Sequence, residues 1–416
     1  MPDLIPNGNG NPQPLAGLRV LEYAQYVAGP FAAMLLADLG ADVIKVESPV
    51  GDAWRRYEPF REGHSRYFYA LNRNKRSVVL DLKSEDGRRE SERLIASADA
   101  VLHNFPVLSA VAYGLDRESV RAINPRAVWT SISAFGSDGP QAELKAFDLV
   151  AQALSGLLLA DAREGDTVPR RAGGIAIADF TAGLLAAIAV LAGLVGARED
   201  TDGHGLEVSL LGAALAVQSQ RFVSVEELDA PDRMRRLGQA PFAVPEDLAT
   251  KAEATARHDE LEPYYRAYEA ADGFFVVACL NERQRRSVGI VTETSDRFAA
   301  NPQAAPVDER ERAERSAHTR RLEEIFATQS VAEWLRRMRE ANVPAAEVRL
   351  LDHLYEDPQV KANGLVQQLE VPGVGAVRQL GSPFKVDGSS QPSRLCAPTL
   401  GQHTNEILEQ LQESSV

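Results

Sequence analysis

Residues 18–47 read LRVLEYAQYVAGPFAAMLLADLGADVIKVE. Residues 18–24 are an apolar-rich run that predicts a buried strand. Val27-Ala28-Gly29-Pro30 predicts a turn, with Pro30 suited to a first helical position. FAAMLLADLG predicts a helix stopped by Gly40. Residues 42–47, DVIKVE, predict a second strand. A strand, helix and strand in this order make a right-handed βαβ unit with parallel strands. The unit invites a dinucleotide site, with Glu47 as the acid that holds a ribose. The G-x-G-x-x-G fingerprint is missing, because Ala28-Gly29-Pro30 supplies one glycine. NAD is therefore not expected.

Downstream segments repeat the alternation. Leu71-Asn72-Arg73-Asn74-Lys75-Arg76-Ser77 precedes the expected strand VVLDL. Those cations form either a solvated loop or a phosphate-binding loop, since Lys and Arg suit phosphate oxygens. Ser84 to Ala98 is an amphipathic helix, and DAVLHNF (99–105) a strand ending in Asn104-Phe105. Asp116 caps a short helix, and AVWTSISAF (127–135) is a further strand. Phe147-Asp148-Leu149 starts a helix running to about Leu158. Glu207-Val208-Ser209 opens another, through Gln220. The order argues a doubly wound, Rossmann-like α/β domain over residues 15–225, after a disordered lead-in at 1–14. Residues 226–262 are rich in charge and proline and read as a connecting segment. Tyr264 to Cys279 reads as two strands around Ala271-Asp272-Gly273. Ser330 and Glu333 form a capping-box pattern. Linkers and a small α+β domain thus fill 226–375, and 376–416 returns to the large domain.

The most pointed chemistry lies at Arg170–Ala197, RRAGGIAIADFTAGLLAAIAVLAGLVGA. One carboxylate, Asp179, stands at the mouth of an 18-residue uncharged run. A charge there is either the N-cap of a helix or a chemical group, and Asp179 reads as both. Gly173, Gly174 and Gly183 strip side chains from around it, which opens room for a ligand. A carboxylate is a competent covalent nucleophile. The run is long enough to cross a membrane, but its Ala and Gly content favours a fully buried helix.

Bulk properties narrow the class. A formal charge of −14 argues against nucleic acid or an anionic membrane as partner. Two separate cysteines, Cys279 and Cys396, make no disulfide framework and suit a reducing cytoplasm. The N-terminal residues MPDLIPNGNGNPQP lack a basic region and apolar core, so no signal peptide is expected. No histidine pair has metal spacing, and no metal is expected. Neither a P-loop nor a G-x-S-x-G elbow occurs.

From Pro14 onward the chain resembles the class III CoA transferases, the formyl-CoA transferase type. The resemblance rests on residues 15–52, on LNRNKRSVVLDLK, Asn104-Phe105 and SISAFGSDGP, and on AFDLVAQALSG and IADFTAG. The AADG turn, VAEWLRRMREANVPAAEV, EDPQVKANG and APTLGQHT extend it to residue 404. It implies that Asp179, in a (G/A)D-x-x-x-G pattern, carries covalent acyl intermediates. It implies acyl-CoA as co-substrate, a carboxylic acid as second substrate, and no metal. It also implies an interlocked, ring-shaped homodimer. Tyr26, Val27, Ala28, Asn72, Arg73, Lys75, Arg76, Asn104, Phe105 and Phe135 would contact CoA. Ser48 and Ala112 replace two family arginines, which leaves the phosphates to Arg73, Lys75 and Arg76. The racemase branch of the fold, which moves a proton α to a thioester, carries a histidine where this chain has Phe147, although Glu282 lies where that branch keeps a glutamate. A binding scaffold, with Asp179 as a cap only, is a third reading.

Overall fold

The structure, a computed structural model, describes residues 13–61, 64–160, 166, 168–197, 202–225, 227, 261–302 and 306–413. The expected lead-in up to residue 12, most of the charged segment 226–262 and His258-Asp259-Glu260 lie outside them. Two compact units emerge. The large one comprises Met1–Leu158, Arg171–Pro231 and Glu356–Val416; the small one comprises Leu159–Arg170 and Asp232–Tyr355.

The large unit is built on six parallel strands: β1 (Arg19–Tyr23), β2 (Asp42–Glu47), β3 (Lys75–Val79), β4 (Ala100–His103), β5 (Val128–Ser133) and β6 (Gly205–Ser209). Their order across the sheet is β3-β2-β1-β4-β5-β6. This is the doubly wound order whose direction of growth reverses between β1 and β4. The expected Rossmann-like α/β layer is therefore present. One strand was read wrongly: residues 207–209 belong to β6, and the following helix starts at Leu210 with the Ser209 hydroxyl as its cap. β6 is an edge strand with half-exposed faces, so it lacks the apolar run that marks the central strands.

Helices cover both faces. On one face lie α1 (Ala28–Asp38), the long helix of residues Ile177–Gly196 and the helix of residues Leu210–Ala216. On the other lie α2 (Glu85–Ala96), α3 (Val107–Ala112), α4 (Arg117–Ile123) and the C-terminal helix Thr404–Glu413. The C-terminal segment also shields the β3 edge: the Ser77 N–H donates to His403 Nδ1 (3.1 Å) and the Val79 N–H to Thr404 Oγ1 (3.1 Å). The return to the large unit comes at Glu356, earlier than the expected 376. The reason is packing: Val371, with Val374 and Val377 of the following turn and strand, joins Phe68, Tyr69 and Ala397 in one apolar cluster.

Between α1 and the long helix, α5 (Asp148–Leu154) follows β5, and the long helix Ile177–Gly196 is then α6. α1 starts at Ala28, so Pro30 is its third residue, where a missing N–H still leaves no bond unmade. α6 is long and apolar enough to cross a membrane; one face packs on α1 and the sheet, but the helix is not fully buried as expected, because Leu184, Ile188 and Val195 on another face are exposed. The approach of α1 to α6 is set by Gly183. A Cβ there would stand 2.7 Å from the Ala28 carbonyl oxygen and 3.0 Å from the Phe31 ring. Gly183 therefore makes room for α1, not for a ligand. Because Asp179 and Gly183 are one turn apart on the same face, the contact carries Asp179 to the start of α1.

The small unit combines an antiparallel sheet with helices. Three antiparallel strands, Tyr265–Ala270, Gly273–Ala278 and Ala345–Glu347, pack with helices around Phe275, Phe326 and Trp334. The expected capping box is partly made, with the Glu333 N–H donating to Ser330 Oγ at 3.3 Å.

Gly183→Ala should lower stability by about 1–3 kcal/mol through overpacking, read from urea unfolding. Unchanged stability would show that α1 and α6 do not meet there.

Candidate active site

The chain leaves β1 for a helix on one face of the sheet and leaves β4 for a helix on the other. The diverging segments open a crevice at the strands' C-terminal ends, where ligands bind in such sheets. A cavity of about 260 Å³ lies there, near the lower size of small-molecule sites, roughly 300 Å³. Gln25 to Ala28 line it from one side and Asn104 to Val107 from the other. Ile132 to Ala134, Leu144 to Phe147, Leu210 and Asp179 complete most of the wall.

The two loops are tied by one amide. Asn104 Oδ1 accepts from the Gln25 N–H (3.0 Å), and its Nδ2 donates to the Gln25 carbonyl (2.8 Å). Gly29 lets the β1–α1 loop fold back on itself, since a Cβ there would fall 2.3 Å from the Ala24 side chain. His103 stands behind, buried and neutral; burial pushes its pKa down to about 4, and its Nδ1 accepts from the Phe105 N–H (3.3 Å).

Asp179 is not the cap of α6. The helix begins at Ile177, and its N-cap Ala176 has no side-chain acceptor. The acceptor comes from α5. Asp148 Oδ1 takes the Ala178 N–H at 2.9 Å and the Asp179 N–H at 3.4 Å. Gln152 holds Asp148 in place: its Nε2 donates to Asp148 Oδ2 (2.7 Å) and its Oε1 accepts from the Ala172 N–H (3.0 Å). Gly173 and Gly174 adopt φ of 60° and 69° in the turn that follows Ala172, which is their structural use. With the capping done by Asp148, the Asp179 carboxylate is left facing the cavity. Burial, and then the Asp148 charge, push its pKa up from 3.8 to about 7.

The sequence expectations for the ligand contacts divide. Tyr26, Val27, Ala28, Asn104, Phe105 and Asp179 line one cavity; Asn72, Arg73, Lys75, Arg76 and Phe135 do not line it. The expected loop of free cations is corrected, because β3 already starts at Lys75 and the charges are neutralised inside the fold. Arg73 pairs with Asp38 through Nε (3.0 Å) and Nη2 (2.5 Å). Lys75 meets Glu22 at 2.7 Å and Asn72 Oδ1 at 2.8 Å, all three side chains buried. Arg76 binds Asp42 and Glu406. Lys145, exposed on the wall of the cavity, was missed. So was Gln152, whose signal was a polar pair four residues apart, Asp148 and Gln152, inside an apolar helix. Phe147 packs edge-on against Tyr26 at 5.3 Å and cannot relay a proton. Glu282, in the small unit, pairs with Arg286. Among the described residues, no group of three His, Cys, Asp or Glu is placed to hold a metal ion.

The fold and the cavity thus define a doubly wound α/β protein with a half-buried carboxylate, free of any capping role, at its topological switch point. The profile of CoA-transferase family III matches residues 15–404. A succinate–glutarate CoA-transferase of Agrobacterium fabrum is 32% identical, covering 96% of each chain. The succinyl-CoA:glutarate CoA-transferase of Homo sapiens is 30% identical over 96% of this chain and 86% of that protein. A CaiB/BaiF family protein of Brucella suis superposes with a TM-score of 0.72 at 30% identity, covering 96% of this chain and 99% of that one. The chain belongs to CoA-transferase family III, and it is a CoA transferase using a CoA thioester as co-substrate.

A carboxyl whose folded pKa is raised weakens the fold as pH climbs. Between 3.8 and about 7 the unfolded chain ionises at Asp179 before the folded chain does. Asp179→Asn removes this penalty. It should therefore gain roughly 2 kcal/mol more over wild type at pH 8 than at pH 5, read from paired denaturant titrations. An equal gain at both pH values would mean that the carboxyl titrates normally.

Proposed function

We propose that the chain moves CoA from an acyl-CoA donor to a free carboxylic acid through covalent intermediates on Asp179. The observation that supports this most is the division of roles between two acids: Asp148 caps α6, and Asp179 is left reactive. An Asp179 oxygen attacks the donor thioester carbonyl, expelling CoA thiolate and leaving a mixed anhydride. The thiolate attacks the aspartyl carbonyl of that anhydride, releasing the donor acid and leaving an aspartyl-CoA thioester. The acceptor carboxylate attacks this thioester and forms a new anhydride with the enzyme. The thiolate then takes the acceptor's acyl group and frees Asp179. Every step exchanges activated acyl bonds of similar energy, so no ATP is consumed. The first N–H groups of α1, at Ala28 and Gly29, precede the helix's own hydrogen bonding and suit a developing oxyanion.

The relatives' names combine CoA with succinate, glutarate, mesaconate or oxalate. Short dicarboxylic acids are therefore the substrate class we assign, with Lys145 the cation on the wall that meets their charge. A cytoplasmic homodimer completes the reading. Leu184, Ile188 and Val195 form an exposed apolar stripe on α6, next to exposed Leu149, Val150 and Leu154 of the α5 helix. A second copy of the chain is the partner that suits it, in the interlocked arrangement the family resemblance implies.

Four measurements test this. Asp179→Ala should lose at least 10³-fold in acyl exchange, and hydroxylamine should trap an acyl group on the wild-type peptide that contains Asp179. Persistent exchange in the variant would sink the mechanism. Because the nucleophile is the ionised form, kcat/KM for the donor should fall about tenfold per pH unit below about pH 7. For the partner, Ile188→Glu should convert a dimer to monomer by light scattering; a wild-type monomer would remove the dimer from the reading.

A further inference from the structure

Tyr26 stands out on the cavity wall. Of the described non-glycine residues with positive φ (Tyr26, Glu58, Asn74, Glu293, Asn342 and Asp387), it is the one that lines the cavity. Its φ is 67°, a left-handed conformation that costs energy for a bulky residue and persists where its surroundings over-determine it. The result is a directed ring. Tyr26 sits edge-on at 5.3 Å to Phe147, which also lines the cavity, and at 5.5 Å to Trp54, which does not, so its ring ties the wall to a segment outside it.

What holds the backbone there lies below the cavity. Asp52 Oδ1 accepts from the Tyr26 N–H (3.3 Å) and from the Trp54 N–H (2.9 Å). Asp52 Oδ2 meets Lys45 Nζ at 2.9 Å. Lys45 also donates to Glu22 Oε1 and to the Ala24 carbonyl, each at 2.8 Å. Glu22 passes the chain on to Lys75, whose Nζ donates to the Pro30 carbonyl at 2.8 Å. Two lysines and two acids, all fully buried and mutually neutral, thus peg the loop at Ala24 and at Pro30, on either side of Tyr26. A buried ionic group of this kind adds little net stability over an apolar one. Its geometric effect on the loop is what distinguishes it.

We propose that Asp52 and Lys45 are positioning residues for acyl-CoA binding: they hold Tyr26 in its left-handed conformation, so that its ring, braced by Trp54, packs on Phe147 in the cavity wall. The inference rests on reading this cavity as the acyl-CoA site. Neither residue lines the cavity, and both act through the Tyr26 backbone.

The test is calorimetric titration of the full-length protein with CoA, in wild type, Asp52→Asn, Tyr26→Gly and the double variant. Asp52→Asn should bind CoA at least fivefold more weakly and raise KM for acyl-CoA, with kcat within about twofold of wild type. Glycine takes the left-handed conformation unaided. Adding Asp52→Asn to Tyr26→Gly should therefore cost less than a further twofold. Unchanged binding in Asp52→Asn, or an equal loss in both backgrounds, overturns the inference. If Asp52→Asn does not fold, restoration of folding by Tyr26→Gly supports the proposal, and failure to restore it assigns Asp52 to Lys45 alone. A wild-type protein that does not bind CoA overturns the reading of the cavity and this inference together.

Discussion

Two helices in this protein come closer than side chains permit, and the site follows from that. At Gly183 the missing Cβ lets the Ala28 carbonyl rest against the backbone of α6. Both helices begin near this contact. The start of α1 contributes free N–H groups, and the first turn of α6 contributes Asp179. Neither helix alone makes a reactive centre. Their convergence places a carboxylate and positive helix ends beside one cavity, at the point where the sheet reverses its order. The Asp-x-x-x-Gly spacing is thus a packing statement first and a chemical one second.

Opposing effects act on Asp179, and their sizes decide the outcome. A helix N-terminus stabilises a carboxylate by about 0.3–1 kcal/mol at exposed sites. Burial and the neighbouring Asp148 charge act the other way and dominate, leaving the pKa near 7. The helix end is also shared, because Asp148 already takes the Ala178 N–H. In the nucleophilic role proposed for it, a carboxylate that ionises near neutrality would be less basic than thiolate but poorly solvated, and would need no general base to activate it. The same arrangement costs stability, as is common where a site must hold an unfavourable charge.

Much of this was legible in the sequence, for reasons that can be named. The βαβ unit at 18–47 was readable because two short segments rich in Val, Leu and Ile flank an apolar helix that Gly40 stops, even though each strand also carries charged residues that the fold buries. Asp179 was readable as the lone charge before an uncharged run. That it is not the cap was not readable, because the true cap, Asp148, lies thirty-one residues earlier and reaches α6 only through the fold. The cations after Leu71 misled for a related reason. Charge in a sequence suggests a solvated loop, and only tertiary structure reveals that Arg73 and Lys75 have Asp38 and Glu22 as buried partners. The edge strand at 205–209 lacked the apolar pattern by which strands are recognised.

The placement of positive charge bears on how an acidic protein holds an anionic substrate. Lys45, Arg55, Arg73 and Lys75 are buried and paired with Glu22, Asp52, Glu47 and Asp38. Their charges are cancelled locally and project little field into the cavity. What remains on the described wall is Lys145, the amide groups at the start of α1, and a largely apolar surface. Such a wall favours a flexible, mostly uncharged chain ending in a carbonyl over a ligand held chiefly by phosphate contacts. Recognition of that kind depends on the wall having a fixed shape, since apolar contacts weaken steeply once a gap of even 1 Å opens. Rigidity of the loop at Tyr26 therefore matters more here than an added cation would, and the internal ion pairs supply that rigidity rather than the attraction.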